Sequence, residues 1–273
     1  AQTSAAGSTQ RALTTANGRD ISFWSWTAKG RKRGTILFSH GAASTPRHYE
    51  QVLQRWADAG YEVHAPLHVD STEHPRTAEF VGLASWSARI EDMRALSAML
   101  GGAAYVAAGH SFGALTALAL GGAVGLVPEG ITGPLRDLKT QAIIALSPPA
   151  PMAVLVGEAG YNAPAVPLFL QTGTRDIPTG STQADAWKGH LAPYEAAKED
   201  GHHYALVLNE VTHYFGGLIG RPDAAGPPSS SALEQFQSLS SLFLAAATQS
   251  DGKARRKLQS LAVNDGTVGL HHK

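Results

Sequence analysis

The sequence predicts an α/β fold in which a mostly parallel, twisted sheet has helices on both faces and an antiparallel hairpin at one edge. Short apolar runs alternate with segments of helical periodicity, which is the pattern of parallel strands joined by crossover helices. Near the start, Asn17-Gly18 separates two strand-like runs, and this dipeptide is a strong hairpin signal. We expect a flexible segment at 1–10, a single domain at 11–250 and a C-terminal extension of uncertain structure at 251–273.

Composition excludes several functional classes. The 273 residues include 22 Lys plus Arg and 22 Asp plus Glu, so the overall charge gives no reason to expect nucleic acid as a partner. No apolar run is long enough for a membrane span. The chain has no cysteine, which excludes disulfides, zinc–thiolate sites and a cysteine nucleophile. Residues 1–8 are small and polar and lack Met, as after removal of a signal peptide, so we expect a secreted or periplasmic protein.

Apolar runs and periodic segments give the predicted elements in chain order. The hairpin pairs residues 13–15 with 21–26. Buried strands, which read as short apolar runs, are predicted at 35–39, 61–66, 103–109, 141–147, 166–172 and 203–209. Helices are predicted at 48–59, 84–100, 114–120 and 231–247. These segments have apolar residues three or four positions apart or consist of strong helix formers. Residues 121–139 are predicted to be irregular, 150–164 to form a loop or short helix, and 177–200 to form a loop plus a helix. The segments 121–139, 148–164 and 177–200 are candidate substrate loops, and Asn264-Asp265-Gly266 suggests one further turn.

The pentapeptide Gly109-His110-Ser111-Phe112-Gly113 carries the strongest functional signal. It is a G-x-S-x-G sequence between a predicted strand and a predicted helix, which is the setting that this motif requires. Glycine at both ends lets the chain turn where larger side chains would collide with the strand and the helix. Such a turn presents the serine hydroxyl above the sheet, so Ser111 is the candidate nucleophile.

Two later residues can activate Ser111. A serine hydroxyl needs a base to take its proton, and the base needs an acid to orient it. In the fold that uses this turn, the chain order is Ser, then Asp or Glu, then His. Asp176 and His213 follow the last two predicted strands, and the carboxyl ends of parallel strands share one edge of a sheet. Weaker alternatives for the acid are Asp185, Asp200 and Glu210.

The loop His40-Gly41-Ala42 follows the first parallel strand and can complete the site. The tetrahedral intermediate of acyl transfer carries an oxyanion that fixed donors must stabilise. One donor is the backbone N–H of Phe112, directly after the nucleophile. The second is expected from this loop, at the N–H of Ala42.

Together, His40-Gly41, the Ser111 pentapeptide, Gly173-Thr174-Arg175-Asp176 and His213 resemble the α/β-hydrolase superfamily over residues 11 to 247. Within it, the chain resembles the dienelactone-hydrolase-like and platelet-activating-factor-acetylhydrolase-like serine esterases, although dienelactone hydrolases proper use a cysteine nucleophile. The resemblance implies a carboxylic ester hydrolase, with small-molecule or polymeric ester substrates.

Other readings of the same residues stay open. The three groups also suit an amidase, a thioesterase or an acyltransferase, and a non-catalytic binding module on the same fold is a less favoured alternative. Tyr161 and Trp187 follow strand ends, where substrate pockets form, and are candidate pocket residues. This chemistry needs no cofactor. No metal is expected either, because the one histidine-rich group that could offer several ligands lacks a recognised ligand spacing. That group consists of His64, His68, Asp70 and His74.

Overall fold

The computed structural model describes residues 7–263 and 266–273, which form one nine-stranded sheet with helices packed on it. Residues 1–6, which make up most of the expected flexible segment, lie outside the described residues. So do two residues of the turn expected at Asn264-Asp265-Gly266. Within the described part of the chain, every helix is too short or too polar to cross a bilayer.

The strands and helices follow the predicted order. The strands are β1 (Ser8–Thr14), β2 (Asp20–Trp26), β3 (Gly34–Ser39), β4 (Tyr61–Pro66), β5 (Tyr105–His110), β6 (Thr140–Leu146), β7 (Leu168–Arg175), β8 (His203–Thr212) and β9 (Gly269–His272). The α-helices are α1 (Glu50–Asp58), α2 (Leu83–Met99), α3 (Phe112–Leu120), α4 (Ala153–Val156), α5 (Ala192–Glu195), α6 (Ser230–Thr248) and α7 (Gly252–Leu261). Short 3₁₀ helices occur at Pro46–Tyr49, Thr77–Glu79 and Ala186–Leu191.

The sheet is parallel through its centre and antiparallel at both edges. Its strand order is β1-β2-β4-β3-β5-β6-β7-β8-β9, and all neighbouring pairs from β4 to β8 are parallel. The β1–β2 hairpin pairs antiparallel with β4 at one edge, and β9 pairs antiparallel with β8 at the other. The predicted fold class is therefore confirmed, including the hairpin at one edge.

Strand residues alternate between two apolar layers, one on each face of the sheet. In β3, Ile36 and Phe38 join the layer that α1 and α6 cover, whereas Leu37 joins the layer under α2 and α3. This alternation follows from the two-residue period of a strand. It explains why the central strands are continuously apolar, since both of their faces are buried.

The two ends of the chain differ from the predicted boundaries. Strand β1 begins at Ser8, so residues 8–10 belong to the sheet and not to a flexible segment. The C-terminal extension provides α7 and the edge strand β9, in which Leu270 is 3% exposed. β9 is short and rich in histidine, and its strand conformation comes from pairing with β8, a contact that local sequence patterns do not encode.

Two central strands also extend further than predicted. β7 continues to Arg175 and β8 to Thr212, because their last residues pair with each other across a register shift. Asp176 and His213 therefore follow directly on the last residue of each strand.

Candidate active site

Ser111 lies in the sharp turn between β5 and α3. Its backbone has φ 55° and ψ −120°, a conformation that residues other than glycine rarely adopt. A Cβ atom on Gly113 would lie 1.9 Å from the carbonyl oxygen of Ser39, and one on Gly109 would lie 2.2 Å from the carbonyl oxygen of Gly113. The close approach of β3, β5 and α3 thus requires glycine on both sides of Ser111.

Asp176 and His213 meet at the carboxyl edge of the sheet. His213 Nδ1 lies 2.6 Å from Asp176 Oδ1, and Thr172 donates to Asp176 Oδ2 at 2.9 Å. Burial alone would raise the pKa of Asp176, but the charge that His213 carries when protonated and the hydrogen bonds from His190 and His213 hold it well below its usual range. The ionised carboxylate accepts the Nδ1 proton of His213. Nε2 of the neutral ring is then free to accept a proton.

A chain of hydrogen bonds links the loop after β3 to the loop after β8 through His110. The N–H of Gly41 donates to Tyr49 Oη at 3.0 Å, and Tyr49 Oη lies 2.8 Å from His110 Nδ1. His110 Nε2 lies 2.9 Å from the carbonyl oxygen of His213. Because that carbonyl only accepts, His110 carries its proton on Nε2 and accepts the Tyr49 proton on Nδ1. Burial lowers the pKa of His110 to about 3, in keeping with this neutral tautomer.

The two expected oxyanion donors lie on neighbouring loops. Ser39 of β3 pairs with Gly109 of β5, and Ala42 and Phe112 each stand three residues beyond that pair. Both loops leave the sheet at its carboxyl edge, next to Ser111. The register therefore brings the Ala42 and Phe112 segments to the same side of the serine.

Arg89, a fully buried residue of α2, holds the loop after β3. Its guanidinium donates to the carbonyl oxygens of His40 at 2.7 Å and of Gly41 at 3.2 Å. It also binds both oxygens of Asp70, at 2.9 and 2.8 Å. Asp70 Oδ2 in turn lies 3.4 Å from the N–H of Ala43. The cation thus fixes the loop on both sides of Ala42, and it lowers the pKa of Asp70 in spite of that residue's burial.

A second group of Ser, His and Asp side chains lies beneath this loop. His68 Nε2 is 2.8 Å from Ser39 Oγ, and His68 Nδ1 is 2.7 Å from Asp92 Oδ2. All three side chains are fully buried, so no substrate reaches the Ser39 hydroxyl, which also accepts from Arg89. Burial raises the pKa of Asp92 to about 7 although Arg19 lies beside it. These contacts join β3, the loop after β4 and α2 structurally.

Comparison with known families and structures identifies the chain. The model of the Alpha/beta hydrolase family matches residues 36–268, well over half of the sequence. The chain belongs to this family. The resemblance inferred from the sequence motifs is thereby confirmed at the level of the superfamily, whereas the subgroup stays a prediction. A search of curated proteins found no match.

Solved structures with the same fold include several esterases. The apo form of Thermogutta terrifontis esterase 2 is 13% identical with a TM-score of 0.64, over 87% of this chain and 94% of that one. The esterase domain of a Rhodothermus marinus protein is 14% identical with a TM-score of 0.56, over 86% and 98% of the two chains. An alpha-beta serine hydrolase homologue from Coxiella burnetii is 15% identical with a TM-score of 0.56, over 84% and 95%. At such identities the likeness shows the fold.

Neither candidate pocket residue of this alpha/beta hydrolase lines the cleft at the start of α2. Tyr161 is buried and donates to the carbonyl oxygen of Pro149 at 2.8 Å. Trp187 is also buried and lines a cavity of about 390 Å³. That cavity reaches Ala205 near the start of β8, whereas His213 lies past the other end of the strand.

A larger cleft, of about 810 Å³, opens between the first turns of α2, residues 126–130 and α4. Trp86 lines it, and the Trp86 ring packs on the ring of Phe112 with centroids 5.6 Å apart. Leu83 and Val154 on its walls are half exposed. We call it the α2 cleft. Charged side chains such as Arg76, Glu79 and Glu129 line the cleft as well. Its apolar part and the packing of Trp86 on the residue after Ser111 make it the better candidate for a substrate pocket.

Three of the residues that the sequence grouped as a possible metal site have other hydrogen-bond partners in the structure. His68 binds Asp92 and Asp70 binds Arg89, while His64 Nδ1 lies 2.7 Å from Ser25 Oγ. A different group, Asp176, His190 and His213, has its nitrogen and oxygen atoms within 4.8 Å of one another. Hydrogen bonds among these atoms account for that proximity. His190 is the member that sequence reasoning missed.

Proposed function

We propose that this protein is a serine hydrolase that cleaves carboxylic esters through an acyl-enzyme on Ser111. The Asp176–His213 pair carries the proposal, because its 2.6 Å hydrogen bond fixes the His213 tautomer that a general base needs. Ser111 belongs to the same edge of the sheet, in the strained turn that exposes a nucleophile. Chain order and strand ends agree with the arrangement of the family.

The reaction begins when His213 Nε2 takes the Ser111 proton as the hydroxyl oxygen attacks the ester carbonyl. Asp176 stabilises the imidazolium that forms. The imidazolium then gives its proton to the leaving alkoxide, and the ester C–O bond breaks. Water, activated by the same imidazole, attacks the acyl-serine and releases the acid, which restores Ser111.

Two backbone N–H groups, of Phe112 and Ala42, stabilise the oxyanion in this mechanism. Donors that are fixed before the reaction cost no reorganisation when the charge develops. Arg89 supports this role, since it binds the carbonyl oxygens of His40 and Gly41. With both carbonyls turned toward the guanidinium, the next N–H, of Ala42, is left for the substrate.

The related folds favour an ester over an amide. Thermogutta terrifontis esterase 2 has been solved with propionate bound and in a form phosphorylated by paraoxon. An amidase, a thioesterase or an acyltransferase would use the same three groups. Matched ester, amide and thioester substrates of one acid, assayed with and without an acceptor alcohol, discriminate among these activities, and we expect the ester to be hydrolysed fastest.

Substitution of Ser111 tests the proposal directly. Ser111→Ala should lower kcat for a simple aryl ester by at least about 10⁴-fold, because removal of the nucleophile leaves only binding and oxyanion stabilisation. Ser241→Ala, which loses only a hydroxyl bonded within α6, is the matched control and should keep full activity. Mass spectrometry after treatment with paraoxon should place the adduct on Ser111. Undiminished turnover by a folded Ser111→Ala protein would refute the assignment.

The α2 cleft suggests the substrate class. We propose that it receives the apolar part of a small-molecule or polymeric ester, because half-exposed aliphatic side chains line part of it. A series of p-nitrophenyl esters of increasing acyl length should show kcat/KM rising beyond the acetate. Leu83→Asp should remove that rise, whereas Leu138→Asp, at an exposed leucine outside the lining of this cleft, should not. An unchanged length profile in Leu83→Asp would contradict the placement.

A further inference from the structure

His190 stands behind the Asp176 carboxylate, on the 3₁₀ helix Ala186–Leu191. Only 4% of this residue is exposed. Its Nδ1 lies 2.6 Å from the carbonyl oxygen of Pro148, and its Nε2 lies 3.0 Å from the carbonyl oxygen of Asp176. Nε2 is also 3.2 Å from Asp176 Oδ1, the same oxygen that His213 binds. Both ring nitrogens therefore face oxygen atoms.

These partners determine the protonation state of His190. A backbone carbonyl oxygen accepts hydrogen bonds and never donates. A neutral imidazole has one N–H, so one nitrogen would place its lone pair against a carbonyl oxygen at a buried position. His110 differs, because the Tyr49 hydroxyl can donate to one of its nitrogens. Only the imidazolium form of His190, with a proton on each nitrogen, satisfies both contacts.

Charge supports the same assignment. Burial alone would lower the pKa of His190, but the hydrogen bond to Asp176, the charge of that carboxylate and the two carbonyl contacts outweigh burial and raise it. The Pro148 carbonyl follows β6, while Asp176 follows β7. A doubly protonated His190 therefore joins the ends of two neighbouring strands to the segment that carries it.

We propose that His190 is a positioning residue, held as an imidazolium, that fixes the Asp176 carboxylate and keeps a second positive charge beside His213. The catalytic part of this proposal rests on the proposed function. The rings of His190 and His213 have centroids 6.0 Å apart, close enough for like charges to interact through the protein. With His190 charged, protonation of His213 would place two positive charges close together.

Each element packed around this site contributes groups that face it. Asp176 follows β7, His213 and Tyr214 follow β8, and His110 ends β5 with its ring 4.6 Å from that of His213. On the segment of His190 itself, Asp185 and Lys188 form an exposed ion pair at 3.6 Å. Burial keeps His110 neutral, and the Asp185–Lys188 pair is exposed to screening by solvent and salt. In this set, the buried charged groups beside His213 are therefore Asp176 and His190.

Nitrogen NMR tests the protonation state without any assay of activity. In protein labelled with ¹⁵N-histidine, long-range ¹H–¹⁵N spectra distinguish an imidazolium from either neutral tautomer. The His190 signal, assigned from its loss in His190→Gln or His190→Lys, should be that of an imidazolium at pH 7. A neutral tautomer at that pH would overturn the proposal, whether or not the protein proves to be an esterase.

The pH dependence of activity tests the effect on His213. In folded His190→Gln, the acid limb of kcat/KM should move up by about one pH unit, because protonation of the catalytic base no longer places two positive charges close together. His190→Lys, which restores a cation, should move it back toward the wild type. His202→Gln, at a half-buried histidine just before the opposite end of β8, should leave the limb in place. An acid limb that is the same in His190→Gln and wild type would refute the coupling.

Absence of ester hydrolysis in the wild type would refute the proposed function alone, since the NMR result would still decide the state of His190. If neither His190 variant folds, the imidazolium signal is identified as the one that persists on raising the pH after the exposed histidines have lost their protons. Absence of any such signal would count against the proposal.

Discussion

Among single residues, Arg89 shows how a buried charge can serve a backbone loop. Its side chain is fully buried, yet the structure shows hydrogen-bond partners around its guanidinium: the Asp70 carboxylate, the Ser39 hydroxyl and two loop carbonyls. Its Cζ atom also lies 4.4 Å from the centroid of the Phe112 ring. A planar fork of donors suits this set of partners, and a lysine ammonium does not. Arg89 thus touches the segments of both expected oxyanion donors.

Replacement of Arg89 should therefore impair catalysis more than binding. We expect Arg89→Lys to lower kcat by about 10²-fold, the size of the loss when one oxyanion donor is misplaced, with a smaller change in KM. The control is Arg94→Lys on the same helix, where the guanidinium binds the carbonyls of Thr132 and Pro134 near the surface. Steady-state kinetics with one aryl ester measure both. Equal kcat values for the two variants would contradict this role.

Sequence reasoning at this scale found residues with a local or ordered signature. Ser111 lies in a pentapeptide, and Asp176 and His213 follow strands in a fixed order. His190 and Arg89 have no such signature, because their partners are remote: Pro148 is 42 residues from His190, and the loop carbonyls are 48 and 49 residues from Arg89. The prediction of Tyr161 and Trp187 as pocket residues used position after a strand alone, which does not tell an inward side chain from a substrate-facing one.

Among the elements, the β5–α3 connection tolerates the least change in side-chain size. α3 approaches β3 so closely that the backbone of Gly113 lies against that of Ser39. The sequence predicts this turn correctly, since the glycine spacing and the flanking apolar runs are local. It does not reveal that the contact is with β3, which is distant in the chain.

Gly113→Ala should destabilise the protein. Its Cβ would lie 1.9 Å from a backbone oxygen, which can be relieved only by moving a strand or a helix, so we expect a loss of about 3 kcal/mol or more in the free energy of unfolding. Gly252→Ala at the start of α7 is the control, because its Cβ would meet only the mobile end of the Arg256 side chain. Urea denaturation compares them. Similar midpoints for both variants would contradict the close packing described here.

For the molecule as a whole, the antiparallel strands at the sheet edges protect the parallel centre from pairing with other chains. A parallel strand at an edge presents unpaired backbone groups to other chains. β9 covers this edge of β8, with backbone hydrogen bonds in both directions between His203 and Lys273, and with Leu270 buried. The alternation of strands and helices predicts the parallel centre, but it gives no sign of a late strand that returns antiparallel.

Removal of β9 should expose this edge. We expect deletion of residues 267–273 to lower the melting temperature and promote aggregation, because β8 loses its pairing partner and Leu206 and Val207 lose their cover. Leu270→Ala in the full chain should cost about 2–5 kcal/mol, as for other buried leucines, whereas Val268→Ser at a more exposed position should cost little. Thermal unfolding and light scattering report both effects. A truncated chain as stable and monodisperse as the full one would show that β9 is dispensable.

The hydrogen-bond chain through His110 has a consequence for engineering this enzyme. The Tyr49 hydroxyl donates to His110, and His110 accepts from it. A library of variants that changes only one of the two positions therefore contains mostly proteins in which this hydrogen bond is lost. Substitutions at the two positions should be strongly non-additive in a double-mutant cycle, and compatible replacements will be found only when both are randomised together. His110, the residue directly before Ser111 in the nucleophile turn, is therefore half of a two-residue unit in this protein.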